Sequence, residues 1–183
     1  QLSIDVAKEL NTEIISFDSR QFYKEMSIGT AKPTQEQLNT VKHHFIGNLS
    51  IQDEYNAGQY ENEAIDLLDA LFKKNKYVVL TGGSGMYLDA VLYGFDELPK
   101  VGEAIREKLN NIYKEEGLET LQTMLAKLDP EHFNNVDLYN PHRLIRALEL
   151  TLSTGTPYSQ LRKGKLKNRN FKTAFFGLDI ERE

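Results

Sequence analysis

The chain has 183 residues, is 40% hydrophobic and 27% charged, and carries a formal net charge of −5. That length and apolar content suit one ordinary domain, or one domain carrying an insertion, with a real buried core. There is no cysteine, which excludes disulfides, thiolate zinc sites and a cysteine nucleophile; no apolar run approaches the roughly 20 residues of a membrane span, and no signal-peptide core is present.

Gln1 to Leu10 places Leu2, Val6 and Leu10 at four-residue spacing, with Ile4 and Ala7 near the same side, so it reads as an amphipathic helix. It has no N-cap, no preceding turn and no preceding strand, so it reads either as a helix whose strand and loop lie ahead of Gln1 or as an ordinary starting helix with a frayed end. Glu13 to Phe17 is short, apolar and β-branched, a buried strand. Asp18 and Ser19 follow at once, at the end of a strand that would face a ligand crevice in an open parallel sheet. Arg20 to Thr34 mixes polar residues with Gly29 and Pro33 and has no period, as a functional loop does.

Thr34 to Lys42 reads as a short helix capped by Thr34, and His43 to Leu49 as a weak strand. Asn56 to Asn75 is a strong helix with Tyr60, Ala64, Leu67, Leu68 and Leu71 in one stripe and Lys73 and Lys74 near its C-terminus. Tyr77 to Thr81 is a second buried strand, followed by Gly82-Gly83-Ser84-Gly85 and a helix from Met86 to Leu92. Strand, glycine-rich turn and helix together point backbone N–H groups and a hydroxyl at one spot, a ready anion site. Strands joined through helices imply right-handed parallel crossovers and an α/β class.

After Pro99 the pattern turns helical. Helices are expected over 102–116, 118–128, a short piece from Asp129-Pro130, a long one capped by Asn140 that uses Leu144, Leu148 and Leu152 and ends at Gly155, and a turn or two after Pro157. Phe171 to Ile180 returns to strand composition. The expected organisation is an α/β core over 1–98 and 171–183, incomplete at both ends, interrupted by a helical insertion over 99–170. Charge is segregated in the same region: between Pro141 and Lys172 eight basic residues stand against the single acid Glu149. Such asymmetry suggests an anionic partner, with a solvated basic surface as the plain alternative.

Taken singly, the polar candidates are ambiguous. Asp18 fits a general base, a metal ligand or a cap, and capping is the commoner role of a lone Asp at a turn. His43 and His44 fit a catalytic role, but adjacent histidines on a weak strand are more often one packed and one exposed ring. The GGSG turn alone is a weak phosphate signal. Arg143 and Arg146 share a helix face and can grip phosphates or pair with acids; an isolated pair favours the second.

Their order is more specific. DSRQ at 18–21, IGTAKPT at 28–34, HHFI at 43–46, GGSGMYLDAVLYG at 82–94 and NPHRLIRALE at 140–149 together resemble the bacterial tRNA dimethylallyltransferases, also called isopentenyl-tRNA transferases. The resemblance spans essentially the whole chain, and GTAKPT after a DS pair is its sharpest element. It implies a P-loop NTPase-like parallel sheet core with a helical insertion that grips the tRNA anticodon stem-loop. The implied reaction moves the dimethylallyl group from dimethylallyl diphosphate to N6 of the adenosine 3′-adjacent to the anticodon, with Mg²⁺, in a monomeric cytoplasmic enzyme with no membrane partner.

The resemblance also carries over residue by residue. Asp18 matches the general base, and Ser19, Arg20 and Gln21 complete the motif that holds the flipped adenosine. Ser84 stands where the family usually has Thr and keeps the hydroxyl near the diphosphate and the reacting base, with Gly82 and Gly83 beside it. Arg106, His142, Arg143 and Arg146 match tRNA-contacting positions; metal ligands stay unassigned.

Departures are also visible. The family's phosphate loop, ending Gly-Lys-Thr or Gly-Lys-Ser, would lie just before Gln1. An arginine-bearing segment would lie beyond Glu183, so these residues alone are expected to be inactive. Gly47-Asn48 replaces an Asp common after the HH pair. The alternatives are an adenylate isopentenyltransferase acting on AMP, disfavoured by the basic insertion; a catalytically incompetent RNA-binding module; and a nucleotide kinase, which GTAKPT disfavours.

Overall fold

The computed structural model describes residues 1–96, 98–164 and 166–178. The chain divides into two compact units, residues 1–95 with 166–183, and residues 96–165. The expected insertion began and ended a few residues later. Its return boundary shifts because Lys167 and Arg169 bond into the first unit, as described below.

The first unit is built on a three-stranded parallel sheet of β1 (Ile14–Ser16), β2 (His43–His44) and β3 (Val79–Thr81), in the order β2-β1-β3. Ile14 pairs with His43 on one side and Val79 on the other, and Ser16 pairs with Thr81. The central strand is fully buried, as its unbroken apolar run predicts, and both flanking strands are half-buried. Strand β2 is shorter than the expected His43–Leu49 segment: Phe45 turns to positive φ, and the ladder stops.

Helix α1 (Leu2–Glu9) forms where expected but presents a different face. Ile4 and Ala7 are buried against Ile14 and Val41, with Val79 packed alongside, while Leu2, Val6 and Leu10 remain 53%, 39% and 39% exposed. In so short a helix the four-residue spacing cannot rank two neighbouring stripes; the sheet selects the smaller Ala7 side, which permits closer approach.

Helix α2 (Gln35–Thr40) starts in a reciprocal capping box between Thr34 and Gln37. Helix α3 (Ala57–Phe72) starts in another between Asn56 and Gln59, and it packs with α4 (Gly85–Tyr93). Between them lies an aromatic nucleus. Phe22 stacks on Tyr60 at 5.3 Å between ring centroids and meets Tyr87 edge-on at 5.2 Å. Each such pair adds about 0.5–1.5 kcal/mol to the burial term.

Polar groups lock this core. The Tyr60 hydroxyl donates to the Ser16 carbonyl at 2.9 Å, at the end of β1. Buried Glu61 accepts from Lys167 Nζ at 3.0 Å, Arg169 Nη2 at 2.8 Å and the Phe95 N–H at 3.0 Å. Burial pushes the Glu61 carboxyl up, but these donors hold it below the usual glutamate range. The expected strand after Phe171 is absent from residues 171–178, and Phe175, Phe176 and Leu178 are exposed. No neighbouring ladder takes up their backbone groups; Asp179 and Ile180 lie outside the described residues.

The second unit is helical: α5 (Glu103–Glu116), α6 (Leu118–Leu128), α7 (Pro130–Phe133), α8 (Pro141–Thr154) and α9 (Tyr158–Leu161). Leu109, Leu121, Leu125, Leu144, Ala147 and Leu148 form its fully buried centre. Asn140 caps α8 by accepting the Arg143 N–H, and Gly155 ends it in the left-handed region at φ 70°. Leu152, expected in the stripe, is exposed, and Ile145, Leu150 and Thr151 are buried instead.

Candidate functional site

The carboxyl ends of β1 and β3 bring Asp18, Ser19, Gly82, Gly83 and Ser84 together. Gly82 makes this possible: a Cβ there would stand 2.6 Å from both the Asp18 nitrogen and the Phe17 carbonyl carbon. A Cβ on Gly83 would stand 3.5 Å from Asp18 Oδ2, so the turn runs directly beside that carboxylate.

Asp18 is half-buried. Its Oδ1 accepts the Arg20 N–H at 3.1 Å, the capping role its sequence position allows. Its Oδ2 has no hydrogen-bond partner among the described residues, so one oxygen stays available to a ligand proton. Ser84 is the N-cap of α4, yet its side chain does not cap the helix. Its Oγ instead accepts the Ser19 N–H at 3.0 Å and lies 2.9 Å from Ser19 Oγ. Whichever hydroxyl donates to the other, one O–H of the pair is left to donate outward. A free carboxylate oxygen beside a free hydroxyl and a helix N-terminus suits taking a proton from one group while stabilising negative charge on another.

Gln21 faces inward. Its Oε1 accepts from Ser16 Oγ at 3.3 Å, and its Nε2 donates to the carbonyls of Thr30 and Ala31 at 3.0 and 3.2 Å. It therefore fastens the IGTAKPT loop to β1 with both Nε2 hydrogens, and Oε1 keeps one further acceptor position on the cavity side. Ser16 is fully buried and was not singled out in the sequence, where a serine inside a strand gives no signal; its Oγ accepts the Asp18 N–H at 3.2 Å. Lys32 Nζ donates to the Tyr23 carbonyl and closes the loop from the other side. A cavity of about 220 Å³ beside the loop is lined by Ser16, Gln21, Ala31, Pro33, His43 and Thr81, among others. Neither histidine is the exposed ring expected: both are half-buried, with His44 Nε2 2.6 Å from Glu13 Oε2 and His43 Nδ1 2.7 Å from the Val41 carbonyl. Arg20 is exposed.

The remaining site residues lie in the helical unit. His142 and Arg143 are exposed on the first turn of α8. Arg106 and Arg146 both bind Glu149, which is only 1% exposed. Arg106 Nε donates to Oε2 at 2.7 Å and Nη2 to Oε1 at 2.9 Å, while Arg146 Nη1 also donates to Oε1. Burial pushes the Glu149 carboxyl up, but the two guanidiniums hold it below the usual range, and the pairing raises Arg106 further. Of the two readings open to Arg143 and Arg146, acid pairing holds for Arg146. The lone acid in a basic stretch, three residues from Arg146, was the signal for it.

The basic stretch is thus not one free patch. Lys167 and Arg169 are engaged by Glu61, whereas Arg162 and Lys163 line a hollow of about 240 Å³ with His132 and Ser159. Among the described residues no group of three or more His, Asp or Glu is placed to hold a metal ion, and no helix is long and apolar enough to cross a membrane.

A family model described as IPP transferase matches residues 21–183. A tRNA dimethylallyltransferase of Christiangramia forsetii is 50% identical over 182 residues, covering 100% of this chain and 60% of that protein. One from Flavobacterium johnsoniae is 46% identical over 188 residues, covering 100% and 61%. Among solved structures, a full-length tRNA isopentenylpyrophosphate transferase of Bacillus halodurans aligns at TM-score 0.50 with 34% identity, over 85% of this chain and 52% of that one. A eukaryotic dimethylallyltransferase described as acting on tRNA aligns at TM-score 0.69 with 26% identity, over 91% and 42%. The chain spans about 60% of the length of the curated relatives it matches.

Proposed function

The chain belongs to the IPP transferase family, and on that premise we propose that it is the larger part of an enzyme that moves a dimethylallyl group from its diphosphate to a tRNA adenosine. The acceptor is N6 of the adenosine 3′-adjacent to the anticodon. The observation that carries this reading is Asp18, with one carboxylate oxygen unengaged beside the Ser19–Ser84 hydroxyl pair.

The acceptor amine is a weak nucleophile because its lone pair is delocalised into the purine. As its nitrogen bonds to the allylic carbon, the carbon–oxygen bond to the diphosphate breaks, and the amine proton passes to Asp18 Oδ2. General-base assistance of this kind contributes about 10²- to 10⁴-fold. The free hydroxyl of the Ser19–Ser84 pair and the α4 N-terminus then donate to the departing diphosphate. The adenosine reaches the site unstacked, at a cost of a few kcal/mol that is smaller in a loop than in a duplex. Arg20 is free to contact the flipped nucleotide, and Gln21 acts from behind, by holding the loop.

Mg²⁺ fits this donor set in one mode only. It usually keeps several waters and substrate phosphate oxygens and takes one or two protein ligands; the hydroxyls of Ser84 and Ser19 suit that mode, and an all-protein cage does not. When bound there it offsets charge on the diphosphate. The helical unit supplies the anticodon-stem grip through Arg106, His142, Arg143 and Arg146, and the protein works as a cytoplasmic monomer. No Gly-Lys-Ser or Gly-Lys-Thr occurs within the 183 residues, and turnover by these residues alone is not expected.

The test uses the full gene product with dimethylallyl diphosphate and an anticodon stem-loop carrying the target adenosine. Prenyl transfer to the stem-loop and none to AMP is the expected result. Transfer to AMP alone overturns the tRNA assignment.

A further inference from the structure

Glu149 is the one acid in a stretch of strong positive charge, and it is buried. A lone buried carboxylate costs several kcal/mol, so its partners must be well placed. Here they are two arginines from two helices, Arg106 on α5 and Arg146 on α8, sharing the oxygen Oε1. The arrangement exceeds what joining two helices requires, since a well-packed apolar pair does that equally well or better. It also leaves an excess: two guanidiniums on one carboxylate carry a net positive charge, and their side chains are 57% and 41% exposed.

The free donors can be named. Arg106 uses Nε and one hydrogen of Nη2 on Glu149, leaving Nη1 and the second Nη2 hydrogen. Arg146 uses one Nη1 hydrogen, leaving Nε, Nη2 and the other. Two forks anchored on one oxygen are ordered before any ligand arrives, which removes the rotamer entropy that free arginines lose on binding.

We propose that Glu149 is a positioning residue that presents Arg106 and Arg146 as one paired-guanidinium grip for an RNA phosphodiester. This deepens the tRNA reading above and rests on it. Glu149 touches no RNA itself; it sets where the two forks point.

Charge counting and positioning predict opposite signs for Glu149→Gln. Removing a negative charge beside two arginines should tighten RNA binding if charge alone matters. If Glu149 positions the forks, affinity for the anticodon stem-loop falls about tenfold, the scale of one hydrogen bond to a charged group. That loss appears in KM for the RNA rather than in kcat, whereas a merely structural role lowers the active fraction and with it kcat. Unchanged or tighter binding by folded Glu149→Gln overturns the proposal.

Arg106→Lys provides the second arm, since it keeps the charge at an exposed position but loses the fork. Several-fold weaker stem-loop binding by the folded variant, with kcat retained, is expected; affinity equal to wild type overturns the positioning role even if Glu149→Gln does not fold. Both measurements use the full gene product. Wild-type binding and transfer with an indifferent Arg106→Lys sinks this inference alone, whereas a wild-type protein that does not bind the stem-loop sinks the tRNA reading together with it.

Discussion

Asp18 in the first unit and the buried acids of the helical unit are held in opposite ways. At the strand ends of the first, Asp18 keeps an oxygen without a partner, half-exposed, with no cation within ion-pair reach among the described residues. In the helical unit Glu149 and Asp129 are buried, and their oxygens are engaged: Glu149 by two arginines, Asp129 by the N–H and hydroxyl of Ser159 and the N–H of His132. An acid left unengaged is available for proton transfer. An acid held by donors from two elements organises those donors. Glu61 shows that the contrast concerns environment rather than unit, since the first unit contains an engaged acid as well.

Substitutions test this contrast. The largest effect is expected at the unengaged acid: Asp18→Asn should lower prenyl transfer at saturating RNA by about 10²- to 10⁴-fold, with stem-loop affinity retained. Turnover near wild type would remove Asp18 from the base role. At the engaged acid of the same unit, Glu61→Gln should cost about 3–5 kcal/mol of stability, because it strands Lys167 and Arg169; chemical denaturation reads this directly. Gly82→Ala forces a side-chain atom into the backbone at the end of β1 and should cost about 1–3 kcal/mol, the range for overpacking, with transfer falling further than the melting temperature implies.

Two smaller effects lie in the helical unit. Arg143→Ala should weaken stem-loop binding several-fold and lower its salt slope by about one, since Arg143 has no acid partner among the described residues. His132 gives a pH signature. Burial pushes its pKa down, with Arg162 adding and Asp129 opposing, so the unfolded chain takes up the proton first. Stability is then full above about pH 6.5, the ordinary histidine value, and declines as pH falls through the lower folded value. His132→Phe should flatten that decline in a melting-temperature series; an unaltered pH profile would show that the ring is not held neutral by its surroundings.

Much of this was legible in the sequence where one local rule decided the outcome. Thr34 and Asn56 start helices because each has a glutamine three residues on to complete a capping box. Asn140-Pro141 opens α8 for the same kind of reason. The site at the strand ends was legible because Asp18 and the glycine turn each follow an apolar run. What sequence did not reveal depends on partners distant along the chain. The buried face of α1 was decided by the sheet, and the loss of Lys167 and Arg169 from the basic face by a glutamate more than a hundred residues away. Over residues 171–178 the strand expected after Phe171 does not form, because no neighbouring strand pairs with it there, and composition cannot supply one.

The hydrogen bonds around Gln21 have a direction. The Asp18 N–H points to Ser16 Oγ, the Ser16 hydroxyl points to Gln21 Oε1, and Gln21 Nε2 points to the carbonyls of Thr30 and Ala31. Every arrow runs from Asp18 outward to the loop, and no member can reverse without breaking its neighbour. Glutamate at position 21 would set an acceptor against two carbonyls, so an exchange of one atom type would sever the line. The loop and the backbone of Asp18 are therefore tied along one line that passes through Ser16 and Gln21.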